Sequence, residues 1–170
     1  GGCGRMKGNI FVILLLSFTL LFGATLWYFQ NYAYYERNDV HDMTITLMGT
    51  GSKINVELDE IKSINSSTSP LKFRSCLKIN SQALETIENY LPYSEGIPLR
   101  APNWFKCFDV NNITNDLQSG KAMAYLSEAN IEYGIDRVLA IYPSGEAYAW
   151  HQINICGSAA FSGEVLPKNC

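Results

Sequence analysis

The chain has 170 residues, of which 47% are hydrophobic and 17% are charged, and its formal net charge is −3. All 16 Asp and Glu, but only 11 of the 13 Lys and Arg, lie in residues 36–170. This segment therefore lacks the excess of positive charge with which nucleic-acid-binding domains meet phosphates. Its length suffices for one domain with a substantial core but not for two. We expect one mildly acidic domain with no nucleic acid as a partner.

Residues 10–29 form an uncharged run rich in Leu, Phe, Ile and Val. A helix of that length is roughly 30 Å long, the thickness of the hydrocarbon core of a bilayer. Arg5 and Lys7 precede the run and acidic residues follow it, and positive residues remain on the cytoplasmic side. The pattern predicts a single-pass signal anchor with residues 1–9 in the cytoplasm, residues 30–52 next to the membrane, and lipid as a partner. A cleaved secretory signal is the alternative.

The first half of the remaining chain has mixed periodicity. Apolar residues alternate with polar ones over residues 53–58 and again over residues 71–79, which predicts two half-buried strands. Helical spacing predicts a helix over residues 84–91, ended by Pro92. A second helix is predicted over residues 110–117, with Asp109 as its N-cap and Gly120 at its end.

The second half is predicted to be mainly β. Residues 122–126 are apolar, and two further runs, residues 137–142 and 147–153, flank the turn sequence Pro-Ser-Gly-Glu at residues 143–146. We interpret residues 53–170 as an α+β domain outside the membrane. Its antiparallel sheet is a meander closed by a hairpin, and about two helices pack on one face.

Four cysteines follow the apolar run, and an even number in an oxidising compartment predicts two disulfides. Of the three possible pairings we favour Cys76–Cys107 and Cys156–Cys170, because the second would attach the irregular C-terminal tail to the domain. No two cysteines are spaced C-x-x-C, so neither a thioredoxin-type pair nor a zinc knuckle is indicated. Thiol redox chemistry through Cys76 and Cys107 is a separate hypothesis.

Lys72, Arg74, Cys76 and Lys78 share one face of a predicted strand, because side chains alternate along a strand. Three cations beside a thiol would activate it and would also hold an anionic ligand. The alternative is an ordinary solvated face whose cysteine enters a disulfide. Arg74 is the binding candidate from this strand.

His151, Gln152 and Asn154 place hydrogen-bonding side chains at the end of an apolar strand. His151 is a candidate general base. The carboxylates that could orient it are Asp109, Glu132 and Asp136. No nucleophile motif accompanies it, and a hydrogen-bonded structural histidine is the alternative. The only other histidine is His41, so the sequence predicts neither a metal site nor a cofactor.

Two aromatic and polar segments are further binding candidates. Residues 129–137 read as a loop punctuated by Gly134, and loops on rigid scaffolds often carry binding residues. The candidates there are Glu132, Tyr133, Asp136 and Arg137. The alternative is a turn with Gly134 at positive φ and with Asp136 and Arg137 as a surface pair. In residues 102–109, Trp104 and two phenylalanines either enter the core or form an exposed patch, and we expect at least two of the three in the core.

Three segments carry a resemblance to a known family: Ser69–Cys76, Ala101–Asp109 and Asn130–Gly157. Their most specific parts are Glu-Tyr-Gly-Ile-Asp-Arg at residues 132–137 and Trp-His-Gln-Ile-Asn at residues 150–154. From Met6 onward the chain resembles an uncharacterised proteobacterial family of unknown function, whose members have an N-terminal membrane anchor and one exported domain. The resemblance implies a bacterial inner-membrane protein with its domain in the periplasm, and it implies no activity.

The sequence supports two hypotheses of function. The first is a binding or accessory protein that contacts another envelope protein, because the chain has an anchor and aromatic loops but no catalytic motif. The second is a periplasmic hydrolase or transferase that uses His151 with a carboxylate.

Overall fold

A computed structural model describes residues 3–38 and 42–170. His41 lies outside these residues. The chain divides into two compact units, one ending at Tyr35 and the other covering Glu36–Cys170. In the first unit, helix α1 (Cys3–Tyr28) continues into a π-helical turn over Phe29–Ala33. The segment Gly8–Ala33 contains an 18-residue stretch with a mean hydropathy of 2.4, and by length and composition it is able to cross a membrane.

The second unit contains an antiparallel sheet. Its strands in the described residues are β1 (Glu36–Asn38), β2 (Asp42–Thr46), β3 (Lys53–Asn65), β4 (Arg74–Ile79), β5 (Met123–Glu132), β6 (Ile135–Ile141) and β7 (Glu146–Ile153). The strand order is β1-β3-β4-β7-β6-β5, and β2 pairs with the first part of β3. The helices of this unit are α2 (Ser81–Glu85), α3 (Val110–Ser119) and α4 (Ile155–Ser162). Single 3₁₀ turns cover Pro70–Lys72 and Ile87–Asn89.

Residues 89–93 connect the two ends of this sheet. On one side, hydrogen bonds join Met48 N–H to the Asn89 carbonyl and Leu91 N–H to the carbonyl at the end of β2. On the other side, Tyr93 N–H and Leu126 N–H make the bonds between this segment and β5. Backbone hydrogen bonds therefore run in a closed circuit through β2, residues 89–93, β5, β6, β7, β4 and β3.

Closure leaves the sheet with an inner and an outer face, each with its own apolar cluster. The inner cluster includes Phe73, Leu77, Leu139 and Ile141, all buried. On the outer face, Trp150 is completely buried. The residues that join it in the outer cluster include Phe108, Ile113, Val138 and Ala140. Helix α3 and the loop before it supply Phe108 and Ile113, so they cover the outer face.

Several sequence predictions are confirmed. Helix α3 begins at Val110, and the Asp109 side chain accepts hydrogen bonds from the N–H groups of Asn111 and Asn112. It ends at Gly120, whose φ is 75°. The C-terminal meander of β5, β6 and β7 is present, and the disulfides are Cys76–Cys107 and Cys156–Cys170.

Other elements differ from the predictions. The predicted helix over residues 84–91 is replaced by α2 and a 3₁₀ turn, because the chain becomes extended at Tyr90 and residues 89–93 are hydrogen-bonded to two strands. The predicted loop over residues 129–137 is a β-hairpin, since β5 continues to Glu132 and β6 starts at Ile135. Strands β1 and β2 lie within residues 30–52, and both pair with β3.

Candidate functional site

His151 and Arg137 form the centre of the candidate site. They are directly opposite each other on β7 and β6. The Nε group of Arg137 donates a hydrogen bond of 3.0 Å to Nε2 of His151, and Nδ1 of His151 lies 2.6 Å from the Pro70 carbonyl oxygen. Because Nε2 accepts the hydrogen bond from Arg137, the neutral ring carries its proton on Nδ1. This N–H donates a hydrogen bond to the Pro70 carbonyl oxygen. Both ring nitrogens are thus engaged.

His151 is neutral at neutral pH. Burial lowers the pKa of its imidazole to about 4, and the positive charges of Arg137 and Arg74 act in the same direction. The Phe73 ring stacks on the imidazole with a centroid distance of 4.4 Å. The guanidinium of Arg137 also lies over Phe73, 4.9 Å from the ring centre. Phe73 therefore packs against both members of the pair.

Charge compensation for Arg137 comes from a short chain of ion pairs. Its Nη1 lies 3.6 Å from Oε2 of Glu128, whose Oε1 is 2.6 Å from Nζ of Lys53. The hydrogen bond from Lys53 is the main reason why the pKa of Glu128 is lowered. Within the described residues, none of the carboxylates predicted to orient His151 hydrogen-bonds to it. Its neighbours are a carbonyl, a guanidinium and a phenyl ring.

A cavity of about 520 Å³ lies beside this pair. Residues 65–70, Ile131, Glu132, Arg137 and His151 line it. The structure thus brings together three predicted site residues, Glu132, Arg137 and His151, and adds the Ser/Thr-rich loop before β4. That loop has no functional motif of its own, and the hydrogen bond between Pro70 and His151 joins it to β7 at this site.

Asp136 lies on the opposite face of β6 and is buried. Its Oδ1 accepts hydrogen bonds from Asn130 N–H (2.9 Å) and Asn154 Nδ2 (2.8 Å), and its Oδ2 accepts one from the Tyr93 hydroxyl (3.1 Å). Burial, followed by the charge of Asp136, raises the pKa of Tyr93. The alternative in which Asp136 and Arg137 form a surface pair is wrong, because neighbouring residues on a strand point to opposite faces and both faces are covered here.

Gln152 and Asn154 also have structural hydrogen bonds. The Gln152 Oε1 accepts from Trp150 Nε1 (2.9 Å) and Ile97 N–H (2.8 Å), and its Nε2 donates to the Glu95 carbonyl (2.9 Å). These bonds attach residues 95–97 to β7. The Asn154 Oδ1 accepts the Gly157 N–H at 2.9 Å and so caps helix α4.

Arg74 is buried and does not belong to a solvated stripe of cations. Its guanidinium donates to four backbone carbonyls, those of residues 71, 73, 99 and 100. Lys72 lies in the preceding 3₁₀ turn, and Cys76 is in a disulfide. The hypothesis of an anion site beside an activated Cys76 thiol is therefore wrong. The alternative is correct about the disulfide but wrong about a solvated face at Arg74. Alternation placed these residues on one face, but the loop over residues 97–110 covers that face.

Trp104 is half-buried and lines a second cavity, of about 670 Å³. Phe105 is partly buried against the outer cluster and Phe108 is within it. The expectation that at least two of these three aromatic residues contribute to the core is confirmed.

Glu132 and Tyr133 are exposed at the turn between β5 and β6. Helix α4 packs directly against this turn. A Cβ atom built on Gly157 would lie 2.2 Å from the Gly134 carbonyl oxygen, so the two backbones touch. Gly134 has a φ of 77°, as predicted, which suits a residue without a side chain.

Large apolar side chains are exposed around this contact. We call Tyr133, Ile153, Ile155 and Phe161 the tip surface; they are 59%, 40%, 70% and 60% exposed. Residues 153–163 contain no charged residue. Periodicity in the sequence does not predict helix α4, because the apolar residues of this helix do not recur with the helical period. Asn154 as N-cap and Gly163 at the other end, with a φ of 72°, were the signals that could have identified it.

Fold and site together define a class: a small disulfide-bonded α+β domain that follows one apolar helix able to span a membrane. Disulfides of this kind are typical of oxidising compartments. Within residues 3–38 and 42–170 no group of three or more His, Cys, Asp and Glu side chains is placed to hold a metal ion. Residues 43–170 match a family of unknown function, DUF6446, and the chain belongs to that family. No curated protein and no solved structure matches this chain.

Proposed function

We propose that this protein is a membrane-anchored accessory protein of the bacterial envelope, whose domain lies in the periplasm and binds another envelope protein. The observation that carries the proposal is the tip surface. Soluble domains expose large apolar side chains singly, whereas several of them on adjoining elements are typical of an interaction site. Surface helices usually present charged residues to water, and α4 has none.

The elements that present the tip surface are held rigidly. Asn154 bonds to Asp136 at 2.8 Å and to Asn130 at 3.2 Å, and the turn at Gly134 touches α4. The disulfide Cys156–Cys170 connects the start of α4 to the end of the chain. Binding to a rigid surface loses little conformational entropy, which favours recognition of a folded protein.

A protein partner suits this surface better than lipid does. Helices that lie on membranes carry Lys or Arg for the headgroups and often Trp at the interface. Residues 153–163 contain none of these residue types.

The location is supported by the sequence around the span and by the cysteines. Arg5 and Lys7 precede the apolar helix, which favours a cytoplasmic N-terminus. The two disulfides lie in the domain after the helix, and disulfides persist on the oxidising side of the membrane. Protease treatment of spheroplasts is expected to digest the domain, whereas digestion only after lysis would contradict this orientation.

The rival hypothesis, a hydrolase or transferase based on His151, lacks geometric support. A general base needs a free lone pair and a position next to the proton that it removes. The Nε2 lone pair of His151 accepts from Arg137, and Nδ1 is bonded to Pro70. The contacts of His151 suit a role in joining the Pro70 loop to the sheet.

Site-specific photo-crosslinking in cells tests the proposed partner. A photoreactive residue at Ile155 is expected to crosslink to one discrete envelope protein, whereas the same residue at Met48, which is 55% exposed and lies two residues after β2, is not. The I155E variant should reduce recovery of that protein about tenfold or more, and M48E should leave it unchanged. Equal crosslinking at both positions, or full recovery with I155E, would contradict the proposal.

A further inference from the structure

The second cavity, of about 670 Å³, has a distinctive lining. The side chains that characterise it are three cations and two aromatic rings: Arg37, Lys62, Lys106, Trp104 and Phe105. Among the described residues that line it, none is acidic. The cavity lies entirely within the second unit, between strand β3 and the loop before α3.

The sheet register explains why these residues meet. Arg37 on β1 is opposite Ile64, and Lys62 on β3 is opposite Cys76. Residues opposite each other on paired strands share a face, as do residues two apart on one strand, so Arg37, Lys62 and Cys76 project from the same face. The disulfide from Cys76 to Cys107 then holds the loop with Trp104 and Lys106 over that face.

The charge of this cavity is opposite to that of the domain. Acidic residues outnumber Lys and Arg in residues 36–170 by 16 to 11. Arg37, Lys62 and Lys106 are all exposed, and among the described residues none of them has a carboxylate within ion-pair distance. Three like charges repel one another, and a bound anion would relieve this repulsion.

Two features indicate which kind of anion this cavity binds: the position of Arg37 in the chain and the aromatic rings of Trp104 and Phe105. Only Tyr34, Tyr35 and Glu36 separate Arg37 from Ala33, the last residue of the segment able to span a membrane. Basic residues next to a span attract anionic lipids, and Trp prefers the lipid–water interface. Trp104 and Phe105 contact each other edge to face, with centroids 6.2 Å apart, and offer an apolar wall beside the cations.

We infer that this cavity binds the phosphate of an anionic glycerophospholipid headgroup, with Arg37, Lys62 and Lys106 around the phosphate. Trp104 and Phe105 contact the glycerol and the first acyl carbons. The inference rests on the membrane anchor of the proposed function, but it is independent of the tip surface and of the protein partner. A free phosphate anion has the same charge chemistry and lacks the apolar part.

Native mass spectrometry of the full-length protein, released from detergent micelles that contain equal amounts of phosphatidylglycerol and phosphatidylcholine, tests this assignment. The apolar helix retains both lipids, so the relevant quantity is the excess of bound phosphatidylglycerol. The K62Q/K106Q variant is expected to lower that excess about tenfold or more. K121Q/K168Q, which changes two other exposed lysines, should behave as wild type.

An equal excess in K62Q/K106Q, or no preference for phosphatidylglycerol in the wild type, would overturn the inference. A third arm adds inorganic phosphate, and its binding in place of the lipid with equal affinity would assign the cavity to a small anion and also overturn it. Unchanged near-UV circular dichroism shows that each variant is folded. Because no envelope protein is in this assay, its failure would leave the crosslinking experiment at Ile155 unaffected.

Discussion

Acid is expected to destabilise the domain through His151. The pKa of its imidazole is 6.5 in the unfolded chain and about 4 in the fold, where burial disfavours the charged form. Its contribution to stability is therefore fully present above pH 6.5 and is lost as the pH falls through the window between 6.5 and about 4. One pKa unit corresponds to about 1.36 kcal/mol, so protonation of this single group removes roughly 3 kcal/mol of unfolding free energy by the lower end of that window.

Urea unfolding of the full-length protein, followed by near-UV circular dichroism at several pH values, measures this loss. Trp150 is completely buried beside His151 and reports on the same strand. The matched control is H151N. Its side-chain amide nitrogen can still donate a hydrogen bond to the Pro70 carbonyl, but the amide group does not titrate. H151N should be less stable than wild type at neutral pH, because Arg137 loses its acceptor. Between pH 6.5 and about 5 its stability should change little.

The difference between the two pH profiles isolates the histidine. Glu128 and Asp116, the carboxylates whose pKa is lowered, are present in both proteins, and their effect on stability begins below the ordinary carboxyl pKa. Parallel profiles for wild type and H151N, with the same loss of stability from pH 6.5 downwards, would refute the argument. They would mean that the imidazole is as easily protonated in the fold as in the unfolded chain.

Three further predictions concern the contacts that hold the domain together. G157A should cost about 1–3 kcal/mol of unfolding free energy, because its methyl group would lie 2.2 Å from the Gly134 carbonyl oxygen and must displace α4. If the variant is as stable in urea as the wild type, close contact of the two backbones is not needed for stability. D136A removes the buried carboxylate that accepts hydrogen bonds from Asn130 N–H, Asn154 Nδ2 and the Tyr93 hydroxyl, and should cost about 1–3 kcal/mol in the same assay. A loss below about 0.5 kcal/mol would indicate that water replaces the carboxylate. Replacing Cys76 and Cys107 by alanine removes the disulfide between residues 31 positions apart. By the chain-entropy relation this should cost about 4 kcal/mol of unfolding free energy, and an unchanged midpoint of thermal unfolding would contradict this prediction.

Short-range patterns predicted the local elements well. Helix α3 has its cap at Asp109 and its end at Gly120 because both signals act within one helical turn. The turn at residues 143–146 and the positive φ of Gly134 are likewise decided by residues next to each other in the chain. The disulfide pairing was one of three possibilities in the sequence, and the preferred one was confirmed.

Burial of polar residues was the main failure of the sequence predictions. Alternation shows which side chains share a face of a strand, but not whether something covers that face. Arg74 was placed on a solvated face and is instead enclosed by the loop that supplies the carbonyls of residues 99 and 100. The sequence leaves open a surface pair of Asp136 with Arg137, whereas the buried Asp136 side chain accepts a hydrogen bond from Tyr93, 43 positions away.

By itself, the sequence determined the apolar helix, the single domain after it and the even number of cysteines in that domain, because composition and run length suffice for these. Tertiary structure alone decided that residues 89–93 close the sheet, that His151 bonds to Pro70 across 81 positions, and that three cations gather beside Trp104. Each of these depends on strand register and on loops that return to the sheet. Such contacts join residues far apart in the chain, so no local pattern of residue types specifies them.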